Sequence, residues 1–340
     1  MSFKKLIYAI LILVLLLAVS YIFQDKKIGN GSNANTKYEL AKDWLKLPDS
    51  ILLGEPTGIG IDTSQNIFIF HRAKREWPLI GSMPKSLIKE RTILIVDSKS
   101  GQFISSWGEN LFVMPHGLTV DNHNNVWVTD VGLHQVFKFT DDGKLLMTLG
   151  EARMPGKDKT HFNRPTDIAI ANDGSFYVSD GYGNSRVIKF SPGGKYLFEW
   201  GKKGKKDGEF NVPHGLSLDS KGNVYIADRE NSRVQVFDST GKFLKQYSNK
   251  NLGNICAVTI GTNDRLYAAD DVSFLKIKHR GSDVFSFDTA GIVQTRFGRS
   301  GFYNGPVCWY HDMVLDSQQN IYVGDILNNS VQKFKNVSTQ

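Results

Sequence analysis

The chain has 340 residues, 41% of them hydrophobic, and a formal net charge of +7. A chain of this length can bury a sizeable core in one large domain. The positive charge is spread along the chain, except for a cluster of lysines within residues 202–206 that is typical of a solvated loop. The sequence shows neither a basic face nor a known nucleic-acid-binding module, which argues against nucleic-acid binding. The only cysteines are Cys256 and Cys308, without a C-x-x-C motif, which argues against a disulfide-built scaffold and a thiolate metal site and leaves open a single bridge between the two.

The N-terminal segment predicts export. Lys4 and Lys5 precede an uncharged apolar run, Leu6 to Phe23, which is close to the ~20 residues that span a bilayer as a helix. Residues 1–24 are therefore expected to be a signal anchor or a signal peptide. Because Ala18-Val19-Ser20 is compatible with cleavage, the mature protein is expected to be either anchored in the membrane by this segment or secreted.

A polar stretch rich in Gly, Asn, Ser and Lys, residues 25–37, follows and is typical of a flexible spacer. Residues 38–340 are interpreted as one repeat domain. Its clearest unit is Phe210–Phe237, FNVPHGLSLDSKGNVYIADRENSRVQVF, in which short runs of alternating apolar and polar residues are separated by Asp, Asn, Gly and Ser turns. This alternation is typical of β-strands rather than helices.

The first run of this unit recurs six times along the chain. The copies are Thr57–Asp62, His116–Asp121, Thr166–Ile170, His214–Asp219, Cys256–Ile260 and His311–Asp316. Five units carry four runs and the sixth carries three. A period of about 40 to 50 residues is typical of propellers, so the pattern predicts an all-β fold, a six-bladed β-propeller. We expect the Tyr38–Leu47 segment to supply the missing strand and cover the open edge of the last blade.

One slot of the repeat differs between blades. The residue that begins each inner run, from blade 1 to blade 6, is Thr57, His116, Thr166, His214, Cys256 and His311. Histidine thus occupies alternate blades, about 120° apart in a six-fold ring, so the three imidazoles are expected to converge on the axis. Three neutral nitrogen ligands suit zinc and leave a position for water or substrate. The alternative interpretation is that each histidine is a polar channel residue bonded to a neighbouring blade.

A second slot, directly after the second strand of each blade, lies at the rim of the same mouth. It holds Arg72, Val131, Gly181, Arg229, Asp271 and Ile326. The two arginines are three blades apart, hence on opposite sides, and guanidinium groups bind carboxylates in bidentate fashion. Surface ion pairs, Arg229 with Glu230 or Arg72 with Glu76, are the alternative.

Two further residues near the mouth are candidates for chemistry. Tyr182 lies between Gly181 and Gly183, and beside a dication and an arginine its phenol is expected to ionise more easily and serve as a base; packing on neighbouring loops is the alternative. Asp312 follows the third histidine, where the other two are followed by glycine, and is a candidate ligand for a hard cation such as calcium.

Seven strings of the chain resemble the peptidyl-α-hydroxyglycine α-amidating lyase family, and the resemblance extends from Pro56 to Phe334. The strings are Ile69–Arg72 (IFHR), Met114–Leu118 (MPHGL), Val128–Lys138 (VTDVGLHQVFK), Pro165–Asp167 (PTD), Ser179–Arg186 (SDGYGNSR), Phe210–His214 (FNVPH) and Ala227–Asn231 (ADREN). Together they are more specific than a generic NHL-type repeat.

The resemblance implies an activity and a set of roles. Lyases of this family cleave the N–Cα bond of a C-terminal α-hydroxyglycine to an amide and glyoxylate. The implied zinc ligands are His116, His214 and His311, the implied base is Tyr182, and Arg72 and Arg229 are implied to line the substrate site. A structural calcium ion is also implied, held by Asp312 and by backbone carbonyls near Ile59 and Leu118. Either another protein, such as a separate monooxygenase, supplies the α-hydroxyglycine substrate, or the substrate is a different carbinolamide or hydroxy acid.

The chain departs from the family's pattern in two respects. The half-cystine positions of the family hold Asn163, Gly183, Tyr225 and Val236, so its two disulfides are absent, and Trp309–Tyr310 replaces the usual Met-Pro before the third histidine. Two other hypotheses therefore stand beside the lyase. One is a metal-dependent hydrolase of lactones or esters on the same three histidines, and the other is a membrane-tethered binding propeller of NHL type without catalysis.

Overall fold

The computed structural model of the protein describes residues 38–78, 82–248, 252–271, 282–298 and 308–337. Within these residues the strands form six four-stranded antiparallel sheets. The innermost strands of the six sheets contact one another in sequence, and the last contacts the first, so the ring is closed. The predicted six-bladed β-propeller is confirmed.

In blades 1 to 5 the strands run from the axis outwards in chain order. Blade 1 consists of β2 (Pro56–Ile61), β3 (Asn66–His71), β4 (Ile93–Asp97) and β5 (Phe103–Trp107). Blade 2 consists of β6 (Pro115–Val120), β7 (Val126–Asp130), β8 (Gln135–Phe139) and β9 (Leu145–Leu149). Blade 3 consists of β10 (Asp167–Ile170), β11 (Phe176–Asp180), β12 (Arg186–Phe190) and β13 (Tyr196–Trp200). Blade 4 consists of β14 (Pro213–Leu218), β15 (Val224–Asp228), β16 (Arg233–Phe237) and β17 (Phe243–Ser248).

The last two blades complete the ring. Blade 5 consists of β18 (Asn254–Ile260), β19 (Leu266–Asp271), β20 (Asp283–Phe287) and β21 (Val293–Gly298). Blade 6 consists of β22 (Tyr310–Leu315), β23 (Ile321–Asp325), β24 (Ser330–Asn336) and β1 (Tyr38–Leu40). The described helical segments are one α-helical turn, Gly181–Asn184, and the 3-10 turns Arg229–Asn231 and Thr262–Asp264.

An N-terminal strand closes the sixth blade. Strand β1 pairs antiparallel with β24, with Tyr38 opposite Asn336. The strand ends at Leu40, so it is shorter than the predicted Tyr38–Leu47. Beyond it the chain turns towards blade 1, where the buried Trp44 donates from Nε1 to the Ser98 carbonyl at 2.9 Å. The segment therefore covers the sheet edge and fastens blade 6 to blade 1.

Apolar side chains between neighbouring blades form the core. One cluster combines Phe70 and Ile93 of blade 1 with Val128 and Phe139 of blade 2, and Phe112 of the connecting loop lies between them with no exposed surface. Because each pair of facing sheets buries its own apolar layer, the packing fixes how the inner strands approach the axis.

In blades 2 to 6 a recurring aspartate ties the end of the second strand to the loop before the inner strand. In blade 2 the Asp130 carboxylate accepts hydrogen bonds from the backbone N–H groups of Val113, Met114, Gly132 and Leu133. The aspartate therefore has a structural role in the turn. In blade 1 the same position holds a histidine, whose role the sequence did not indicate.

Two expectations concern the termini and the thiols. Residues 1–24 and 25–37 lie outside the described residues, so the predicted export segment and spacer stay predictions. Within the described part of the chain, no helix is both long enough and apolar enough to cross a bilayer. Cys256 and Cys308 are both buried and no disulfide joins them, so the bridge that the sequence left open is not formed.

Candidate metal centre and active site

The slot that carries the histidines is a β-bulge. In blade 2 the strand ladder pairs Pro115 with Asp130 and resumes at Leu118, so His116 and Gly117 occupy the irregularity. The same register shift occurs at this slot in blades 1, 4, 5 and 6. A bulged residue is left out of regular pairing and its side chain is re-aimed. In blades 2, 4 and 6 the side chain at this position is the histidine that faces the other two histidines.

The three histidines of alternate blades converge as predicted. One ligand atom from each of His116, His214 and His311 lies within 4.8 Å of the others, and all three residues are buried. Their ring centroids are 4.6 to 4.8 Å apart. Three imidazole nitrogens at this spacing can hold a metal ion.

Backbone carbonyls of the intervening blades orient these rings. Each histidine donates from Nδ1 to the carbonyl of the slot residue in the next blade. The pairs are His116 with Thr166 at 2.7 Å, His214 with Cys256 at 2.8 Å and His311 with Thr57 at 2.8 Å. A carbonyl oxygen only accepts, so Nδ1 carries the proton and the Nε2 lone pair of each ring faces the axis. Metal-ligating histidines commonly donate their other ring N–H to a backbone carbonyl in this way, so the donor set fits a metal ion.

Burial keeps these imidazoles neutral. The pKa of His214 is lowered to about 3, first by burial and then by the positive charge of Arg229. Burial also places the pKa of His116 and of His311 well below the usual value, and the neighbouring histidines add to the effect. Neutral imidazole is the form that binds a metal.

Tyr182 lies directly beside two of the rings. Its hydroxyl is 3.1 Å from Nε2 of His116 and 3.3 Å from Nε2 of His214, and it accepts a hydrogen bond from Nη1 of Arg229 at 3.3 Å. Burial raises the pKa of the phenol above its usual value, while Arg229 and Arg72 act in the opposite direction. Without a metal ion, burial therefore raises the pKa of Tyr182 more than the two arginines lower it. The easier ionisation expected for this phenol would depend on the positive charge of a bound dication.

Both arginines lie at the mouth, but their surroundings differ. The Arg72 side chain is 2% exposed; it forms an ion pair with Glu55 and donates from Nε to the Pro115 carbonyl at 3.0 Å. Its partner is thus Glu55 and not Glu76. The Arg229 side chain is 18% exposed and contacts Glu230 at 3.5 Å, as one alternative anticipated. Arg229 is therefore the more accessible of the two guanidinium groups.

An aromatic residue covers the Arg72 side of the mouth. The Trp77 ring lies 5.2 Å from the Tyr182 ring and 5.2 Å from Cζ of Arg72. With Met83 it packs against an apolar wall built by Val113 and Val131. This wall limits access of water to the phenol and to Arg72.

Two carboxylates share the channel next to the histidines. Asp312 Oδ2 accepts the Ile59 N–H at 2.8 Å, and Asp167 Oδ2 accepts the Leu216 N–H at 2.7 Å. Burial raises the pKa of Asp312 well above its usual value and the negative charge of Asp167 raises it further. Leu118, the remaining residue predicted near the calcium ion, is on the inner strand of blade 2. This strand lies close to the inner strand of blade 1, because a Cβ placed on Gly58 would be 2.6 Å from the Leu118 amide nitrogen.

Four residues near the site were not assigned a role from the sequence. They are Glu55, Trp77, Asp167 and Asp271. Strand register could have indicated Glu55, because Pro56 pairs with His71 and the next pair outwards is Glu55 with Arg72. Asp271 belongs to the rim slot of blade 5, but only the structure shows that it contacts Arg229 at 3.2 Å.

Known proteins match the chain in sequence and fold. The NHL repeat family matches residues 112–139, 162–190 and 210–237. The chain is 35% identical over 322 residues to peptidyl-glycine alpha-amidating monooxygenase B of Xenopus laevis, covering 89% of this chain and 36% of the frog protein. The chain thus spans about a third of the length of such relatives.

A shorter relative and a solved structure complete the comparison. Virginiamycin B lyase from Staphylococcus aureus superimposes with a TM-score of 0.57 at 14% identity, covering 89% of this chain and 90% of that one, which shows the shared fold. A probable peptidyl-alpha-hydroxyglycine alpha-amidating lyase of Caenorhabditis elegans is 37% identical over 237 residues, covering 66% of this chain and 67% of the worm protein. This similarity shows that the chain belongs to the peptidyl-α-hydroxyglycine α-amidating lyase family.

Proposed function

We propose that the protein is a zinc-dependent carbon–nitrogen lyase that cleaves the N–Cα bond of a C-terminal α-hydroxyglycine to a peptide amide and glyoxylate. The observation that carries the proposal is the contact of the Tyr182 hydroxyl with Nε2 of His116 and His214 and with Arg229. These contacts support the proposal because they bring together the proposed base, two of the three proposed metal ligands and the proposed carboxylate-binding group.

The three histidines would hold the ion through Nε2, since Nδ1 of each is already bonded to a carbonyl. A bound zinc ion supplies a Lewis acid that lowers the pKa of a coordinated hydroxyl. Three neutral imidazoles suit zinc in ligand type and number.

The protein's own side chains perform the proton and charge handling. The Arg229 guanidinium binds the substrate carboxylate and favours the phenolate form of Tyr182. The proton of the α-hydroxyl passes to the Tyr182 oxygen, the C–O bond becomes a carbonyl, and the N–Cα bond breaks with its electron pair on nitrogen. Tyr182 then returns this proton to the amide nitrogen, so glyoxylate and the peptide amide account for every atom and the phenolate form of Tyr182 is regenerated. Arg72, paired with Glu55, adds positive potential from the opposite side of the mouth.

We also propose that a structural calcium ion lies on the axis, held by Asp312 and by backbone carbonyls near Ile59 and Leu118. Hard cations favour carboxylate and carbonyl oxygens. The support is the pair formed by Asp312 and Asp167, because two buried carboxylates in one channel repel each other unless a cation or a proton lies between them.

We propose that the domain is exported, through the apolar segment of residues 1–24, either anchored or secreted. Its peptide substrate would come from an oxygen-dependent hydroxylation of a C-terminal glycine. Such a step fits the monooxygenase names of the longer relatives. A monooxygenase, in the same or another polypeptide, is therefore the proposed supplier.

The deciding experiment is metal analysis of the purified full chain together with an assay of glyoxylate release from α-hydroxyhippurate. We expect about one zinc per chain, lost together with glyoxylate release in His214→Ala and kept in His123→Ala, an exposed histidine. Tyr182→Phe should keep the metal and lose activity by about 10²-fold or more. Zinc without glyoxylate release, with turnover of a lactone panel, would point to the hydrolase instead, and absence of zinc would favour the binding propeller.

A further inference from the structure

Two carboxylates contact the same nitrogen of Arg229. Oδ2 of Asp271 lies 3.2 Å from Nε, and Oε1 of Glu230 lies 3.5 Å from it. The two differ in burial, because the Asp271 side chain is 1% exposed and that of Glu230 is 36% exposed. A buried partner holds a guanidinium in one orientation far more strongly than an exposed one, which is screened by water.

Asp271 is itself fixed by the inner part of blade 5. It ends β19, where it pairs with Asn254 of β18, and its Oδ2 also lies 3.4 Å from Sγ of Cys256. Cys256 is the slot residue whose carbonyl orients His214. Asp271 therefore connects the strand that orients a proposed metal ligand with the guanidinium that contacts the proposed base.

The carboxylate has spare hydrogen-bonding capacity. Its Oδ1 atom is buried and has no hydrogen-bond partner among the described residues. A buried carboxylate that is incompletely paired is costly for stability. The stability of the fold alone therefore does not account for this carboxylate, whereas its contact with Arg229 gives it a role.

We propose that Asp271 is the positioning residue of Arg229. It holds the Nε edge of the guanidinium, so that Nη1 points at the Tyr182 hydroxyl, 3.3 Å away, and the remaining donors face the mouth. The proposal rests on the proposed function, in which those donors bind the carboxylate of an α-hydroxyglycine. A guanidinium is planar, so fixing one edge fixes the direction of the others.

The test is a double-mutant cycle on the full chain with Asp271→Asn and Arg229→Gln, using Glu230→Gln as the matched control. Asp271→Asn should lower kcat/KM for α-hydroxyhippurate by about 10-fold in the wild-type background and by less than about 2-fold in the Arg229→Gln background. Glu230→Gln should leave kcat/KM unchanged, and all variants should keep their zinc. An equal loss in both backgrounds, or no loss in the wild-type background, would overturn the proposal.

Two additions keep the test decisive. Asp271→Glu retains the charge and displaces the carboxylate by one methylene group, and it replaces Asp271→Asn in the cycle if that variant does not fold. A crystal structure of the Asp271 variant shows the orientation of the Arg229 guanidinium directly, and this observation does not depend on which reaction the protein catalyses. Arg229 turned away from Tyr182 would support the proposal even if no glyoxylate is formed, whereas an unmoved Arg229 would refute it.

Discussion

The Nδ1–H group of His214 donates a hydrogen bond to the carbonyl oxygen of Cys256, 2.8 Å away on the inner strand of the next blade. His116 and His311 use the carbonyls of Thr166 and Thr57 in the same way. Alternate blades therefore contribute different groups at this position. Blades 2, 4 and 6 provide imidazoles, and blades 1, 3 and 5 provide the backbone carbonyls that orient them. A close approach of neighbouring strands is required for these bonds.

The glycine that follows a slot histidine permits that approach. A Cβ on Gly117 would lie 2.5 Å from the Thr166 oxygen, and one on Gly215 would lie 2.8 Å from the Cys256 oxygen. Gly117→Ala and Gly215→Ala are expected to displace the orienting carbonyls and to lower zinc affinity by about 10- to 100-fold, the usual effect of disturbing the groups that hydrogen-bond to metal-ligating histidines. Competition with a chromophoric chelator measures the affinity.

Gly193→Ala is the control for these glycine substitutions, because a Cβ there meets nothing within 4 Å. Its zinc affinity should equal that of the wild type. Should Gly117→Ala and Gly215→Ala bind zinc as tightly as Gly193→Ala, the carbonyls would not be what orients the rings.

The repeat pattern predicted the fold and the ligand slot because both depend on strand periodicity. Six inner runs at equivalent positions indicate one ring, and alternation of His116, His214 and His311 around it indicates convergence. The bulge that re-aims these side chains could not be predicted, since it arises from register shifts such as that between Pro115 and Leu118. Glu230 was anticipated as a partner of Arg229. Glu55 and Asp271 were missed, because the sequence suggested neighbours along the chain, whereas these carboxylates are distant from the arginines in sequence.

The ion pair of Arg72 with Glu55 is expected to matter for stability. Arg72 is almost completely buried, so Glu55→Gln would leave its charge without an ionic partner. We expect the free energy of unfolding to fall by about 2 kcal/mol, measured by urea denaturation. Glu76→Gln removes the exposed carboxylate that the sequence suggested as partner and should change the unfolding free energy little; an equal loss in both variants would contradict the assignment.

Calcium is expected to stabilise the channel through Asp312 and Asp167. At about 100 times its dissociation constant, a calcium ion that binds only the folded state adds about 2.7 kcal/mol. Asp312→Asn and Asp167→Asn should abolish this gain but should be more stable than the wild type in the absence of calcium, because one of two repelling charges is removed. Thermal unfolding in calcium, magnesium or chelator measures this reversal in the order of stability between wild type and variants. If calcium still stabilised both variants, the site would be excluded.

His71 provides a pH-dependent prediction that is separate from the proposed metal ligands. It occupies the position that holds aspartate in the other five blades, and its Nδ1 accepts hydrogen bonds from the N–H groups of Gly54, at 3.2 Å, and Ala73, at 3.1 Å. Burial lowers the pKa of His71 to about 4, from about 6.5 in an unfolded chain. The imidazole must therefore be neutral in the folded protein, because protonation of Nδ1 would remove both bonds.

The sign of the effect follows from proton binding. Between pH 6.5 and about 4 the unfolded chain binds a proton at this residue that the folded protein does not, so acid favours unfolding. The contribution of His71 is absent above pH 6.5 and grows by about 1.4 kcal/mol per pH unit below it. Asparagine does not titrate, so the unfolding free energy of His71→Asn lacks this pH dependence. The difference in unfolding free energy between wild type and variant should therefore decrease with that slope as the pH falls from 6.5 to 4.5. Urea denaturation at several pH values measures the slope, and a pH-independent difference would show that His71 is protonated in the folded state.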